Sequence, residues 1–148
     1  MRFFIFILCL FLVPTFAWAE SSSRIASLKN TTTNVRAGPG TQYPILWVFK
    51  HKNWPIRIIS EYQSWHKITD HEGETGWIYK NLISSTHTVV VSEGDPTLMY
   101  RTSEMTKPIM KLSENVVLKF DKCTPYICQV VYDKRKGWVV KDRLLMVE

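Results

Sequence analysis
Reactive chemistry needs nucleophiles, bases or metal ligands at workable spacing, and this chain carries few. Its three cysteines are Cys9, Cys123 and Cys128; the last two are separated only by Thr124-Pro125-Tyr126-Ile127. Such a pair reads as a structural disulfide across a tight turn, in preference to a reactive thiol pair or a metal site. No histidine stands at metal-ligand spacing from either cysteine, which argues against zinc. His51, His66, His71 and His87 are scattered over turns and strand faces, and Asp70, Glu72 and Glu74 crowd one hairpin turn as a solvated tip. A Cys-His hydrolase would need a reduced nucleophile. The chain is therefore expected to be non-enzymatic, with no catalytic residue, no metal and no cofactor.

Binding chemistry is better represented. Tyr43, Trp54, Tyr62 and Tyr79 are aromatics with a polar edge, the kind of side chain that contacts glycan or peptide, and two of them are expected to be exposed together. Trp77 follows a turn glycine, where a large ring either stacks on a ligand or packs half-buried; packing is favoured. Arg36 and Arg101 read as matched loop positions. Each guanidinium could take a carboxylate or phosphate, but a brace onto loop carbonyls is favoured. The candidate ligand-binding set is thus Arg36, Tyr43, Trp54, Tyr62, Trp77 and Tyr79.

Compartment follows from the N-terminus. Arg2 precedes an unbroken apolar run from Phe3 to Val13, Pro14 ends it, and Ala17-Trp18-Ala19 offers small residues for a peptidase. The run is shorter than the roughly 20 residues a spanning helix needs. Residues 1–19 are read as a cleaved secretory signal, leaving 148 − 19 = 129 residues and an even cysteine count. The protein is expected to be exported, periplasmic or extracellular. The formal charge of +6 becomes +5 when Arg2 is lost, and its clusters are Lys50-His51-Lys52 and Lys134-Arg135-Lys136. Both fall in turns, where solvated lysines are the default; weak contact with an anionic membrane surface or polymer is the functional reading. Nucleic acid is a poor partner for an exported chain.

The elements that must position these residues are short strands. Gly76-Trp77-Ile78-Tyr79 recurs as Gly137-Trp138-Val139-Val140, each followed by a basic stretch ending in Leu, at an offset of 137 − 76 = 61 residues. That offset indicates two copies of one compact module. Breakers at Arg36-Ala37-Gly38-Pro39-Gly40 mark a loop; Pro55 to Ile59, Trp65 to Thr69 and Thr75 to Tyr79 read as strands. The first strand is expected near Ile25–Lys29 or Thr33–Arg36. No stretch shows helical apolar spacing over helical length, so the fold class is all-β. The expected organisation is a flexible lead over 20–26, a first domain over 27–87 and a second over 88–148, joined near Ser84 to Thr88. Modules of about 60 residues are marginal alone. Four of the tryptophans, Trp47, Trp54, Trp65 and Trp77, fall in the first copy, and the cysteine pair falls in the second.

Asn34-Val35-Arg36-Ala37-Gly38-Pro39-Gly40, together with Trp65-His66-Lys67-Ile68 and Gly76-Trp77-Ile78, resembles the bacterial SH3-like domain found singly or in tandem in exported proteins. The resemblance is strongest over residues 27–83 and weaker over 88–148. It implies two five-stranded barrels, each with a long arginine-bearing loop after the first strand. Some members of that family bind peptidoglycan when attached to cell-wall hydrolases, and related Gly-Trp modules bind anionic envelope polymers. Eukaryotic SH3 domains bind proline-rich peptides, but here the groove proline falls on Tyr79, the groove tyrosine on Leu82 and the stacking tryptophan on Ser64, while the inward-facing tryptophan is kept as Trp65. In the second copy that pair is expected at Ile127 and Cys128. Proline-rich peptide is therefore not the expected ligand. The expected function is recognition of peptidoglycan peptide or glycan, another envelope polymer, or an envelope protein. The alternative is a structural or assembly protein whose domains pack on a partner without a small ligand.

Overall fold
The computed structural model describes residues 23–147, so the expected signal segment lies outside the described residues. Seven strands form the first half: β1 (Arg24–Leu28), β2 (Thr33–Arg36), β3 (Ile45–Phe49), β4 (Pro55–Tyr62), β5 (Trp65–Thr69), β6 (Thr75–Tyr79) and β7 (Ile83–Ser84). Seven more form the second: β8 (Thr88–Val91), β9 (Thr97–Tyr100), β10 (Pro108–Leu112), β11 (Val117–Cys123), β12 (Ile127–Tyr132), β13 (Arg135–Val140) and β14 (Leu144–Leu145). A one-turn 3-10 helix precedes the last strand of each half. Each half is one antiparallel sheet. The orders are β3-β2-β6-β5-β4-β1-β7 and β10-β9-β13-β12-β11-β8-β14, the same path taken twice.

Two expectations need correction. Five strands per module were expected and seven form, because both candidate first strands exist, as β1 and β2, and a two-residue β7 closes against β1. Each sheet ends at an edge strand, β3 or β10, that pairs on one side only, so closure of a five-stranded barrel is not seen. The lead expected to be flexible over 20–26 also gives way at Arg24. There β1 pairs with β4 from Arg24↔Ile58 to Ser27↔Pro55, and Ala26 is fully buried.

Backbone details repeat more faithfully than the sequence. The long strand β4 has a register shift between Ile58 and Ser60, and β11 has one between Phe120 and Lys122. A bulge there increases local twist and curls the sheet over its own core. Asn53 and Asn115 both adopt left-handed φ of 60°, which asparagine tolerates better than most residues. Their amides donate to Leu28 O and Val91 O at 2.8 and 3.0 Å. The Gly-Trp motif has a steric origin. A Cβ on Gly76 would run into Val35, and one on Gly137 would sit 2.7 Å from Met99 Cγ and 2.8 Å from Tyr100 O. β6 and β13 cross β2 and β9 so closely that only glycine fits.

The Cys123–Cys128 disulfide forms as expected, between register partners of β11 and β12. Thr124 closes the turn, its amide donating to Ile127 O at 2.8 Å.

The two modules share a wall. In β8 all four residues are buried, although a strand on a module surface would alternate. Val89 and Val91 face the core of the second module with Met99, Leu118 and Val139. Val90 faces the other way and belongs to the first core, beside Ile56, Ile58 and Trp54. Val117 and Leu145 pack against that same first core, and Thr88 Oγ1 donates to Asn53 O at 2.8 Å.

Candidate functional site
One cleft of the first module lies beside the loop between β2 and β3. Arg36 ends β2, opposite Trp77 in register. Its Nη1 donates to Thr41 O at 3.0 Å and Tyr43 O at 2.8 Å, while Ala37 N closes the loop onto Pro44 O at 3.0 Å. Arg36 is thus a brace, as favoured from sequence, and it fixes one wall of a cleft of about 690 Å3. The loop residues Pro39 to Gln42 form that wall; Thr32, Asn34, Gln63, Trp65, Tyr79 and Leu82 complete the lining. Trp65 and Tyr79 face each other across β5 and β6, with ring centroids 5.5 Å apart at 70°. This edge-to-face pair leaves Tyr79 37% exposed and Trp65 half-buried. Ring faces flanked by amides, hydroxyls and a committed guanidinium suit an extended ligand with apolar and hydrogen-bonding groups in alternation.

The six candidate residues do not converge. Arg36 and Tyr79 line this cleft. Tyr43 is exposed, but its ring lies over Gly38, where a Cβ would collide with it, and it contributes its carbonyl to Arg36. Tyr62 is exposed at the β4–β5 hairpin and Trp77 is half-buried; neither lines the cleft. Trp54 is a correction. It is 7% exposed and packs in the first core, so it is not a partner of Tyr79 in one groove. Trp65 is the residue the sequence reading missed. The SH3 resemblance implies an inward ring, whereas its place opposite Tyr79 puts part of the ring into the cleft wall.

Trp54 instead organises a second cleft, also about 690 Å3, between the modules. His51 and His71, remote in sequence, flank it with ring centroids 5.0 and 5.6 Å away. Glu93 and Asn115 reach this cleft from the second module. The acidic turn beside it is partly structural, since Asp70 Oδ1 accepts from Glu72 N and Glu74 N at 3.0 Å each. Among the described residues no group of three or more His, Cys, Asp and Glu is placed to hold a metal.

Two titrating groups stand out near β4. Arg24 donates to Glu61 Oε1 at 2.8 Å and holds that carboxyl below its ordinary range. Across the hairpin, partial burial lowers the pKa of His66, against the opposing pull of Glu61, whose carboxylate oxygen lies 3.3 Å from Nδ1.

Backbone hydrogen bonds fix how the modules correspond, and they revise two pairings. Ala37 N bonds Pro44 O while Arg101 N bonds Lys107 O, so Arg101 matches Ala37, and Tyr100 matches Arg36. Lys80 N bonds Ser64 O while Lys141 N bonds Tyr126 O. The counterparts of Ser64 and Trp65 are therefore Tyr126 and Ile127, not Ile127 and Cys128. The error has a simple source, because the β12–β13 turn is shorter than the β5–β6 turn. The second module's equivalent cleft shrinks to about 280 Å3, with Leu98, Tyr100 and Val140 in place of Asn34, Arg36 and Tyr79. Arg143 fills part of it, donating Nε to Thr97 Oγ1 at 3.1 Å and Nη2 to Asp95 O. Leu82 stands there in the first module, leaving buried Thr33 Oγ1 without a protein partner.

Two antiparallel sheets of the same strand order, the first bearing a loop-braced aromatic cleft, define two SH3-like β modules in tandem. Residues 29–85 match the bacterial SH3 domain family, and that segment is a bacterial SH3 domain. The second sheet repeats its strand order. No curated protein matches the chain. Among solved structures it is similar to NlpC1 from Trichomonas vaginalis, at 14% identity and a TM-score of 0.36, covering 89% of this chain and 48% of that one. NlpC2 from the same organism is similar at 15% identity and a TM-score of 0.36, covering 85% and 49%. The chain thus spans about half the length of the structures it matches, and likeness at this level carries no functional argument.

Proposed function
We propose that this is an exported, non-enzymatic binding protein of the bacterial envelope that holds a cell-wall peptide or glycan in the Arg36–Tyr79 cleft. The observation that carries the reading is the Trp65–Tyr79 pair, presented beside a loop that Arg36 has already fixed. A preorganised wall spares a ligand the cost of ordering it. The lining offers ring faces, amides and hydroxyls, which hold a ligand and do not turn it over. The bacterial SH3 match over 29–85 supports a cell-wall-associated module. The second reading, an assembly protein with no small ligand, is favoured by one observation: Trp54 is buried where the modules meet.

The test is retention of the oxidised protein on purified insoluble peptidoglycan at low and high salt. Tyr79→Ala is compared with Tyr126→Ala, which removes an 81% exposed tyrosine away from this cleft. Salt-resistant binding lost only in Tyr79→Ala is expected. Binding that disappears with salt in the unaltered protein reduces the interaction to screened charge. No retention at either salt refutes the wall ligand and leaves the protein partner.

A further inference from the structure
The arginines among the described residues fall into two groups. Arg24 is held by Glu61, Arg36 by two loop carbonyls, Arg57 by Ser23 Oγ at 3.5 Å, and Arg143 by Thr97 and Asp95. Arg101 and Arg135 have no side-chain partner among the described residues, and both line one cleft of about 600 Å3 on the second module. Pro108, Ile109 and Lys136 complete it, with no carboxylate in the lining. Lys136 is already paired with Asp121 at 2.6 Å, which leaves the two guanidiniums as the uncompensated charge.

This arrangement is not a by-product of the fold. By the backbone correspondence, the first module carries Ala37, Glu74 and Thr75 where the second carries Arg101, Arg135 and Lys136. The same framework therefore presents an acidic corner in one copy and a basic one in the other. Half-buried Ile109 gives the cleft one apolar side, and both arginines are exposed to an incoming ligand. Two unpaired guanidinium forks lining one cleft match the oxygens of a phosphate group, which accepts paired hydrogen bonds from a fork.

We propose that the Arg101–Arg135 cleft is a phosphate-oxyanion site, separate from the aromatic cleft and independent of what that cleft binds. The oxyanion can come from an anionic phospholipid headgroup or from free phosphate, and two arms of one experiment separate them. The first follows arginine Nε–H signals by NMR during titration with inorganic phosphate. The second measures co-sedimentation with phosphatidylcholine vesicles with and without phosphatidylglycerol. Both compare Arg101→Gln/Arg135→Gln with the charge-matched Lys50→Gln/Lys52→Gln. At about 5-fold per basic side chain at an anionic surface, the arginine pair accounts for about 25-fold in vesicle affinity. The expected result is loss of that factor, and of the phosphate response, in the arginine variant alone. A response to vesicles only identifies the lipid headgroup, and one to phosphate only identifies the free ion. Equal loss in the lysine control, or no response in either arm, overturns the site.

Discussion
Val90→Ala tests whether the two modules are separable. Val90 sits on a strand of the second sheet but is fully buried in the first core, beside Ile56, Ile58 and Trp54. Truncation to alanine removes two buried carbons, a transfer loss of about 1.6 kcal/mol at ~0.8 kcal/mol each. The cavity left behind raises the cost to about 2–3 kcal/mol, because the fully buried neighbours relax only in part. The assay is urea unfolding followed by tryptophan fluorescence in a Trp138→Phe background. Among the described residues, the remaining tryptophans, Trp47, Trp54, Trp65 and Trp77, all lie in the first module. In a shared-wall protein, Val90→Ala lowers the midpoint reported by those four with little change in slope. Val89→Ala, on the opposite face of β8, serves as the comparison, since Val89 belongs to the second core. If the first-module signal is unmoved in Val90→Ala, the modules unfold independently and the shared wall contributes nothing.

Two further predictions concern the strand glycines Gly76 and Gly137 and one histidine. Gly137→Ala and Gly76→Ala should each cost about 1–3 kcal/mol by overpacking, because the new Cβ meets the Tyr100 carbonyl at 2.8 Å in one and runs into the buried Val35 side chain in the other; an unchanged thermal midpoint in either variant would refute the close-crossing account. His66 has its pKa lowered by burial from the ordinary 6.5, so between that value and the lower folded one the unfolded chain binds more protons. Stability then falls as the pH drops through this window. His66→Gln should flatten that limb of the stability–pH curve; an unchanged slope would show that His66 does not carry it.

The sequence alone determined the all-β class, the twofold repeat and the cysteine pair. Each rests on local spacing: alternation within strands, a glycine before each repeated tryptophan, and two cysteines five positions apart. Arg36 as a loop brace was legible for the same reason, since its acceptors Thr41 and Tyr43 lie in its own loop. Trp54 and Trp65 were not legible, because an aromatic beside a turn reads the same whether its ring is buried or lines a cleft. Only the β5–β6 register put Trp65 against Tyr79. Arg101 and Arg135 line one cleft because β9 lies beside β13, and His71 reaches Trp54 only through long-range folding of the first module, whereas His51 is three positions from it. The shared wall is the clearest case. Thr88-Val89-Val90-Val91 is an uninterrupted run in which nothing local marks Val90 as belonging to the other core. Packing decided it, because a strand buried on both faces must give alternate side chains to different neighbours.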